Sequence, residues 1–158
     1  MSQFNATVTG AQAIVDGLQA KIVAAGVGIE RGLKVCGVLL QHESQKLVPV
    51  DLGPLRASAF TRSSGNGMGT EVRVGYTAAY AVIVHEVLEA AHGEEYNQKY
   101  AAEIASGAQY WYKGAWRTYH RRRPQEQAKF LEQPLRDLQN DGRFAKILRD
   151  SVYQEMKK

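Results

Sequence analysis

The sequence is poor in cysteine and in long apolar runs, and both absences restrict what the chain can be. Its 158 residues include a single cysteine, Cys36, so no disulfide can form within the chain. No apolar run approaches the roughly 20 residues that span a bilayer, and the N-terminus has neither the basic nor the compact apolar segment of a secretory signal. We therefore expect one domain, stabilised by packing or by partners in a reducing cytoplasm.

The residue spacings that common catalytic sites require are also missing. A zincin helix needs His-Glu-x-x-His, whereas His85 is followed by Glu89 after one turn and by His92 only after two. On a helix these side chains would share a face and form at most a weak metal site, and solvent-facing polar residues are the favoured interpretation. The serines lack a nucleophile-elbow context, and Cys36 falls on an apolar stripe, as inert thiols do. We predict no enzyme activity, no metal and no cofactor.

Acidic residues are absent between Glu103 and Glu126, although the net charge of the whole chain is only +4. The same interval holds five basic residues: Lys113, Arg117, Arg121, Arg122 and Arg123. Aromatic residues are interleaved with them from Tyr110 onward, and such mixtures stack bases and contact phosphates. An aromatic strand followed by a solvated or subunit-bridging basic segment is the favoured alternative, since no known nucleic-acid module surrounds the cluster. In a ring, these arginines would line a channel and contact DNA without reading its sequence.

A long helical pattern covers Ala11–Lys46. Its apolar residues form an eleven-residue repeat: Ile14, Leu18, Ile22, Ala25, Ile29, Leu33, Cys36 and Leu40. This spacing predicts one straight apolar stripe along a helix of roughly 50 Å. Because that length exceeds the width of so small a domain, we expect part of the stripe to pack on another subunit. Glycines within the pattern indicate either close helix contacts or a break near Gly26–Gly28.

The middle of the chain has the alternation of short strands. We predict strands over Ala57–Arg62 and Glu71–Tyr76, joined by a flexible loop over Ser63–Gly69. The apolar, β-branched segment Tyr80–Glu86 is assigned to a third strand.

Helical and aromatic segments then alternate. Val87–Ala108 is predicted to be helical, and Tyr110–Tyr119 to be a hairpin that turns near Lys113 and Gly114. Two C-terminal helical faces follow, separated at Asn140–Gly142, with Asp141 as a candidate N-cap. The prediction is an α+β domain: a long N-terminal helix, a small, mainly antiparallel β-sheet, and a C-terminal helix packed on the sheet. Residues 1–10 are expected to be flexible.

Three segments carry a family resemblance. The first, Val50–Ser58, reads Val-Asp-Leu-Gly-Pro-Leu-Arg-Ala-Ser. The second runs from Val72 through Tyr-Ala-Val-Ile-Val-His-Glu at Tyr80–Glu86, and the third, Ala128–Leu135, reads Ala-Lys-Phe-Leu-Glu-Gln-Pro-Leu. In order and spacing they resemble the signature turn, the strand-turn-strand and the start of the C-terminal helix of the tailed-phage tail-completion, or neck, proteins. The segment 87–127 is longer than that pattern, which suggests an insertion or an extended hairpin region.

The first segment is also a plausible turn on physical grounds. The Asp51 carboxylate can accept hydrogen bonds from local backbone N–H groups, Gly53 permits a tight bend, and Pro54 restricts φ. We expect Asp51, Gly53, Leu55 and Arg56 to form a structural signature turn. A plain helix-to-strand connection would use the same residues.

The resemblance implies a structural virion protein at the head–tail junction, present in the host cytoplasm during assembly. Such a protein would form a homo-oligomeric ring, with six- or twelve-fold symmetry as the expectation, and DNA would pass through it. Its partners would be portal-side and tail-side virion proteins, and the basic cluster would contact genomic DNA non-specifically, with no membrane involved. The alternative is a nucleic-acid-binding protein that uses the aromatic-basic cluster at 110–123.

Overall fold

A computed structural model describes residues 10–49, 53–86, 93–112, 115–118 and 128–158. Helices and two β-hairpins alternate along these residues. The helices are α1 (Ala11–Leu47), α2 (Pro54–Ala57), α3 (Ala81–Glu86), α4 (Gly93–Lys99), α5 (Ala101–Ser106), α6 (Glu132–Asn140) and α7 (Arg143–Met156). The strands are β1 (Ala59–Ser64), β2 (Glu71–Tyr76), β3 (Gln109–Tyr112) and β4 (Ala115–Thr118), with a short 3-10 turn at Gly67–Gly69. The predicted α+β class, with its long first helix and small antiparallel sheet, is confirmed.

The first helix, α1, is unbroken over 37 residues. It ends at Leu47, one residue beyond the predicted end. Its glycines mark close contacts rather than a break: nine residues separate Gly28 from Gly37, about two and a half turns, so the two lie on opposite sides. Each side receives a different element, and α1 therefore lies between them.

The hairpin of β1 and β2 packs on one side of α1. A Cβ atom at Gly37 would lie 2.5 Å from Cγ1 of Val72, and one at Gly26 would lie 3.4 Å from Cα of Gly67 in the 3-10 turn. Gly26 and Gly37 are eleven residues apart, about three turns, and share a face. The absence of side chains at these two positions lets the hairpin lie along the helix from end to tip.

The last helix, α7, packs antiparallel on the other side of α1. A Cβ atom at Gly28 would lie 2.5 Å from the Cα of Val152, and one at Gly32 would lie 2.9 Å from Cδ2 of Leu148. The main contact of α7 is therefore with α1, whereas the sequence predicts a C-terminal helix packed on the sheet. The glycine face of α1 explains the difference, because it allows the two helices to approach more closely than larger side chains would.

The first hairpin has a simple antiparallel register, from Ala59 opposite Tyr76 to Ser64 opposite Glu71. Strand β1 starts two residues later than predicted because Pro54–Ala57 form the helical turn α2. Within the predicted loop, Gly65 has a φ of 76°, a left-handed value that suits glycine.

The predicted third strand at Tyr80–Glu86 is wrong, because Ala81–Glu86 form helix α3. The Ala81 N–H donates to the Ala78 carbonyl at 2.9 Å, and the Val84 N–H donates to the Tyr80 carbonyl at 3.1 Å. Within the described residues β2 pairs only with β1. These helical hydrogen bonds pair backbone N–H and C=O groups within the segment, so the segment needs no neighbouring strand.

The later predictions agree with the structure more closely. In the described part of the predicted helical segment lie the two helices α4 and α5, while residues 87–92 are outside the described residues. Strand β3 pairs with β4 in the predicted aromatic hairpin, whose predicted turn at Lys113 and Gly114 is also outside the described residues. The chain also breaks between α6 and α7 as expected. The N-cap of α7 is Gly142 rather than Asp141, but the Asp141 carboxylate still accepts the backbone N–H of Arg143 at 2.9 Å. Within the described residues, no helix combines the length and apolar character that crossing a bilayer requires.

Candidate functional site

Of the predicted signature turn, the structure describes Gly53, Leu55 and Arg56, beside the C-terminal end of α1. Gly53 has a φ of 82° and precedes α2, in which Pro54 occupies the first position. Glycine tolerates this left-handed conformation, and a proline at the first helical position loses no hydrogen bond. The bend places Leu55 in the interior, where only 4% of its surface remains exposed. Asp51, the predicted acceptor of backbone hydrogen bonds, lies outside the described residues.

Ser58 connects this turn to the end of the first hairpin. Its hydroxyl donates to the Leu55 carbonyl at 2.7 Å and accepts the Ala78 N–H at 3.2 Å. Its carbonyl accepts the Thr77 N–H at 3.0 Å. Ser58 therefore joins α2 to the residues between β2 and α3, and this role explains a serine at the end of the signature turn.

Arg56 contributes to the turn through its backbone. Its carbonyl accepts a hydrogen bond from Nε2 of Gln45 in α1 at 3.0 Å, while its side chain is exposed. The positive charge of Arg56 also acts on Tyr76: burial raises the pKa of that phenol, and the hydrogen bond with Ser44 and the charge of Arg56 partly oppose the increase. Because its side chain is exposed, the guanidinium group of Arg56 is accessible to a partner.

The three segments that carry the resemblance meet in one hydrophobic core. Its buried members are Val48, Leu55, Ala81 and Phe130, with partly buried residues around them: Leu47, Tyr76, Ala78, Val84 and Leu131. The Tyr76 and Phe130 rings meet edge to face, with centroids 5.1 Å apart. Segments separated by tens of residues in the sequence therefore form one packing unit.

A charged cluster borders this core where α3 approaches α6. The Lys129 ammonium group pairs with Glu86, and His85 Nδ1 lies 2.7 Å from Oε1 of the same carboxylate. The pairing with Lys129, followed by the contact with His85, lowers the pKa of Glu86. The His85 carbonyl accepts the Lys129 N–H, and Lys129 has a φ of 54°, which is unusual for a residue other than glycine. These bonds attach the start of the C-terminal region to α3.

Of the three residues that could form a weak metal site, the structure describes only His85. His85 packs edge to face on Phe130 with 18% of its side chain exposed, while Glu89 and His92 lie outside the described residues. Over the described ranges, no group of three or more histidine, cysteine or acidic side chains is placed to hold a metal ion. Cys36 is buried, and burial raises the pKa of its thiol, so the thiolate is disfavoured.

The predicted basic cluster is also described in part. Arg117 lies in β4, paired in register with Tyr110 of β3, and Trp111 is paired with Trp116. The remaining members, Lys113, Arg121, Arg122 and Arg123, lie outside the described residues. The backbone register does bring aromatic and basic positions together on one hairpin.

A shallow groove lies between the end of α1 and α6. It has a volume of about 250 Å³ and is lined by Glu43, Lys46, Leu47, Pro134, Asp137, Leu138 and Arg143. Typical small-molecule pockets measure roughly 300–1,000 Å³. The groove is therefore a weaker candidate site than the exposed surfaces of the helices.

Two exposed apolar surfaces stand out on those helices. The first is the N-terminal part of α1, where the large exposed side chains are Ile14, Val15, Leu18, Ile22 and Val23. The second is on and just before α3, where Tyr80, Val82 and Ile83 are exposed. The length of α1 indicated the first surface, whereas the strand assignment of Tyr80–Glu86 concealed the second. The sequence signal for α3 was Ala78, Ala79 and Ala81, which favour a helix more than a strand.

Comparison with protein-family models, with curated protein sequences and with solved structures finds no match to this chain.

Proposed function

We propose that this protein is a structural component of a tailed-phage virion, located at the head–tail junction. Copies of the chain form a ring that joins the connector to the tail and lets DNA pass. Its work is binding, not catalysis, and it needs no cofactor. Neighbouring virion proteins on the portal side and on the tail side are its partners.

The observation that carries this proposal is the common core of the three motif segments. Leu55 comes from the signature turn, Ala81 from the second segment and Phe130 from the third, and all three are buried together. The resemblance therefore involves residues that depend on one another physically. A chance similarity at three separate places would not require such contact.

The exposed apolar part of α1 supports the assembly aspect. A soluble helix normally presents polar residues to solvent, yet this segment exposes five large aliphatic side chains. Exposed apolar patches of this kind mark surfaces that partners cover. An assembling ring provides such a partner in each neighbouring copy.

The proposal is tested on tailed particles purified from the strain that carries the gene. We expect mass spectrometry to detect the protein in the particles, and gold-labelled antibodies to bind at the neck. Light scattering and electron microscopy of the purified protein should show closed rings at high concentration. Particles that lack the protein would contradict the proposal.

The alternative function is nucleic-acid binding through the aromatic-basic cluster. The register of β3 and β4 favours it, since it pairs Arg117 with Tyr110. Absence from particles, together with DNA binding by the purified monomer that weakens steeply with salt, would support this alternative. Lack of any DNA binding would eliminate it.

A further inference from the structure

The end of the first hairpin, Asn66–Gly69, which we call the hairpin tip, begins with an asparagine followed by a glycine. Asn66 is exposed, and its backbone is extended, with a φ of −147° and a ψ of 158°. The backbone nitrogen of the residue after an asparagine can attack the side-chain amide and close a five-membered ring. Glycine leaves that nitrogen unhindered because it has no Cβ atom. Asn66 therefore has the sequence context that most favours spontaneous deamidation.

The peptide unit that would react is held at both of its polar groups. The Gly67 N–H donates to Oε2 of Glu30 in α1 at 3.0 Å, and the Asn66 carbonyl accepts the Gly69 N–H at 2.9 Å. Ring closure requires the Gly67 nitrogen and the Asn66 Cβ atom to lie on the same side of the Cα–C bond, and a ψ of 158° is rotated well away from this arrangement. Rotating the peptide unit breaks both hydrogen bonds, so the folded tip resists the reaction.

Glu30 is well placed to restrain this rotation. Its Oε1 atom pairs with Nζ of Lys34 at 2.7 Å, which leaves Oε2 for Gly67, and 27% of its side chain is exposed. The hydrogen bonds from Lys34 and from Gly67 lower the pKa of Glu30, so the carboxylate is charged at neutral pH. Hydrogen bonds to a charged acceptor are stronger than those between neutral groups. The bond to Glu30 is thus the strongest polar contact between the hairpin tip and α1.

We propose that Asn66 is a site of spontaneous deamidation and that Glu30 sets its rate by holding the Gly67 N–H. This inference concerns the single chain and does not depend on the proposed function. Glu30 acts here as a guard: the reaction proceeds only when its bond to Gly67 opens.

The reaction needs water as its only co-reactant. In the opened tip, the Gly67 nitrogen gives its proton to solvent, and its lone pair attacks Cγ of Asn66. The new N–Cγ bond forms as the bond from Cγ to the side-chain nitrogen breaks, and that nitrogen takes a proton from solvent and leaves as ammonia. Water then opens the resulting succinimide ring at one of its two carbonyl carbons. The product is aspartate or isoaspartate at position 66.

The isoaspartate product does not fit the hairpin tip as it stands. It adds one methylene group to the backbone directly before Gly67. A Cβ atom at Gly26 would lie 3.4 Å from Cα of Gly67 and 3.5 Å from the nitrogen of Met68, so α1 and the tip are already in close contact there. We expect the modified tip to lose its bond to Glu30 and to separate from α1, which faster hydrogen exchange at the tip amides would report.

Three variants of the full chain isolate the role of Glu30. Glu30→Ala removes the acceptor, and Glu30→Gln keeps a neutral one. Lys34→Ala is the matched control, since it removes the ion pair of Glu30 but leaves the bond to Gly67. All three substitutions introduce good helix formers into α1, so the fold should persist, and circular dichroism checks that it does.

Deamidation is measured by incubating each protein at neutral pH and digesting samples with trypsin. Cleavage after Arg62 and Arg73 releases a peptide that contains Asn66, in which chromatography and mass spectrometry separate asparagine, aspartate and isoaspartate. The peptide Asp137–Arg143 contains Asn140, which precedes an aspartate, and serves as the internal reference. Parallel samples in urea provide the rates for the unfolded chain.

In urea, Asn66 should react faster than Asn140 and at the same rate in all four proteins. In the folded wild type the reaction at Asn66 should be slower than in urea. Glu30→Ala should raise the folded rate about tenfold, since a hydrogen bond to a charged group shifts an opening equilibrium by roughly this factor or more. Glu30→Gln should raise it only about threefold, because its neutral bond is weaker. Lys34→Ala should react nearly as slowly as wild type.

Four results would overturn the inference. An unreactive Asn66 in urea would show that it is not a deamidation site, and equal rates for folded and unfolded wild type would show that the fold does not protect it. A rate for folded Glu30→Ala at or below that of wild type would show that Glu30 is not the guard. An equal rise at Asn140 would show general unfolding of the variant instead of release of the hairpin tip.

Discussion

The two halves of α1 have the same apolar repeat and different surroundings. In its N-terminal part, Ala11–Val23, which we call the arm, Ile14, Leu18 and Ile22 are more than half exposed. Further along the same stripe, Cys36 and Leu40 are buried, with 7% and 8% of their surface exposed. Periodicity alone therefore does not decide which part of a helix is covered. It determines which face is apolar, and the neighbouring elements determine whether that face is buried.

Glycine is the residue that distinguishes the halves. In the packed half, Gly28 and Gly32 admit α7, and Gly37 admits the hairpin. In the arm, a Cβ atom at Gly17 would meet nothing within 4 Å. Glycine destabilises a helix in both halves. In the packed half it allows neighbouring elements to approach α1 closely, whereas in the arm no described element contacts it.

The largest effect that would test this comparison is expected from truncating one leucine in each half. Leu40→Ala should lower the free energy of unfolding by about 3 kcal/mol, since it removes buried surface and leaves a cavity. Leu18→Ala, the matched change in the arm, should alter it by less than about 0.5 kcal/mol in the monomer. Urea denaturation of both variants measures the difference.

These measurements belong at low protein concentration, where association does not stabilise the native state. At high concentration Leu18→Ala should reduce association instead. Equal losses of monomer stability in the two variants would show that the arm is packed within its own chain.

The next effect in size compares two glycine substitutions. Gly28→Ala should destabilise the protein by about 2 kcal/mol, because the new Cβ atom meets the backbone of Val152, which no side-chain rotation can relieve. Gly17→Ala should instead stabilise it by up to about 1 kcal/mol through higher helix propensity. Thermal unfolding of each variant provides the sign, and the same sign at both positions would contradict the contrast between the halves.

Much of this fold could be predicted from the sequence, because its strongest signals are periodic. The stripe of α1 predicted a helix to within one residue of its observed end, and alternation predicted β2 with its observed bounds. The segment Tyr80–Glu86 failed because a run of β-branched residues suits a buried strand as well as a short helix. In the structure Ala81–Glu86 form a helix. Within the described residues β2 pairs with β1 alone, so no strand from this segment extends that sheet.

The candidate site was predictable only in part. From the length of α1 we expected part of its apolar stripe to pack on another subunit, and the structure leaves Ile14, Leu18 and Ile22 exposed. Of the residues predicted to form a structural turn, Leu55 is buried in the core. The exposed surface at Tyr80, Val82 and Ile83 was missed, since a strand assignment places alternate residues on opposite faces. The contact of α7 with α1 also escaped prediction, because glycines in a helix have the same sequence signal whether they allow contact or weaken the helix.

The smallest effect concerns the ion pairs at the boundary between the halves, where α7 ends beside the arm. Glu155 is buried, with Lys158 Nζ at 2.7 Å and Arg31 at 2.6 Å. The hydrogen bond with Lys158, followed by the charge of Arg31, lowers the pKa of Glu155 from the ordinary glutamate value of 4.5. A carboxylate whose folded pKa is lowered contributes stability above its unfolded pKa and loses that contribution as the pH falls through the folded pKa. Unfolding free energies measured from pH 7 down to pH 3 should therefore fall less steeply below 4.5 for Glu155→Gln than for wild type. Lys158→Gln should reduce the dependence more than Arg31→Gln, and an unchanged pH profile for Glu155→Gln would show that this carboxylate does not help to hold α7 against the packed half of α1.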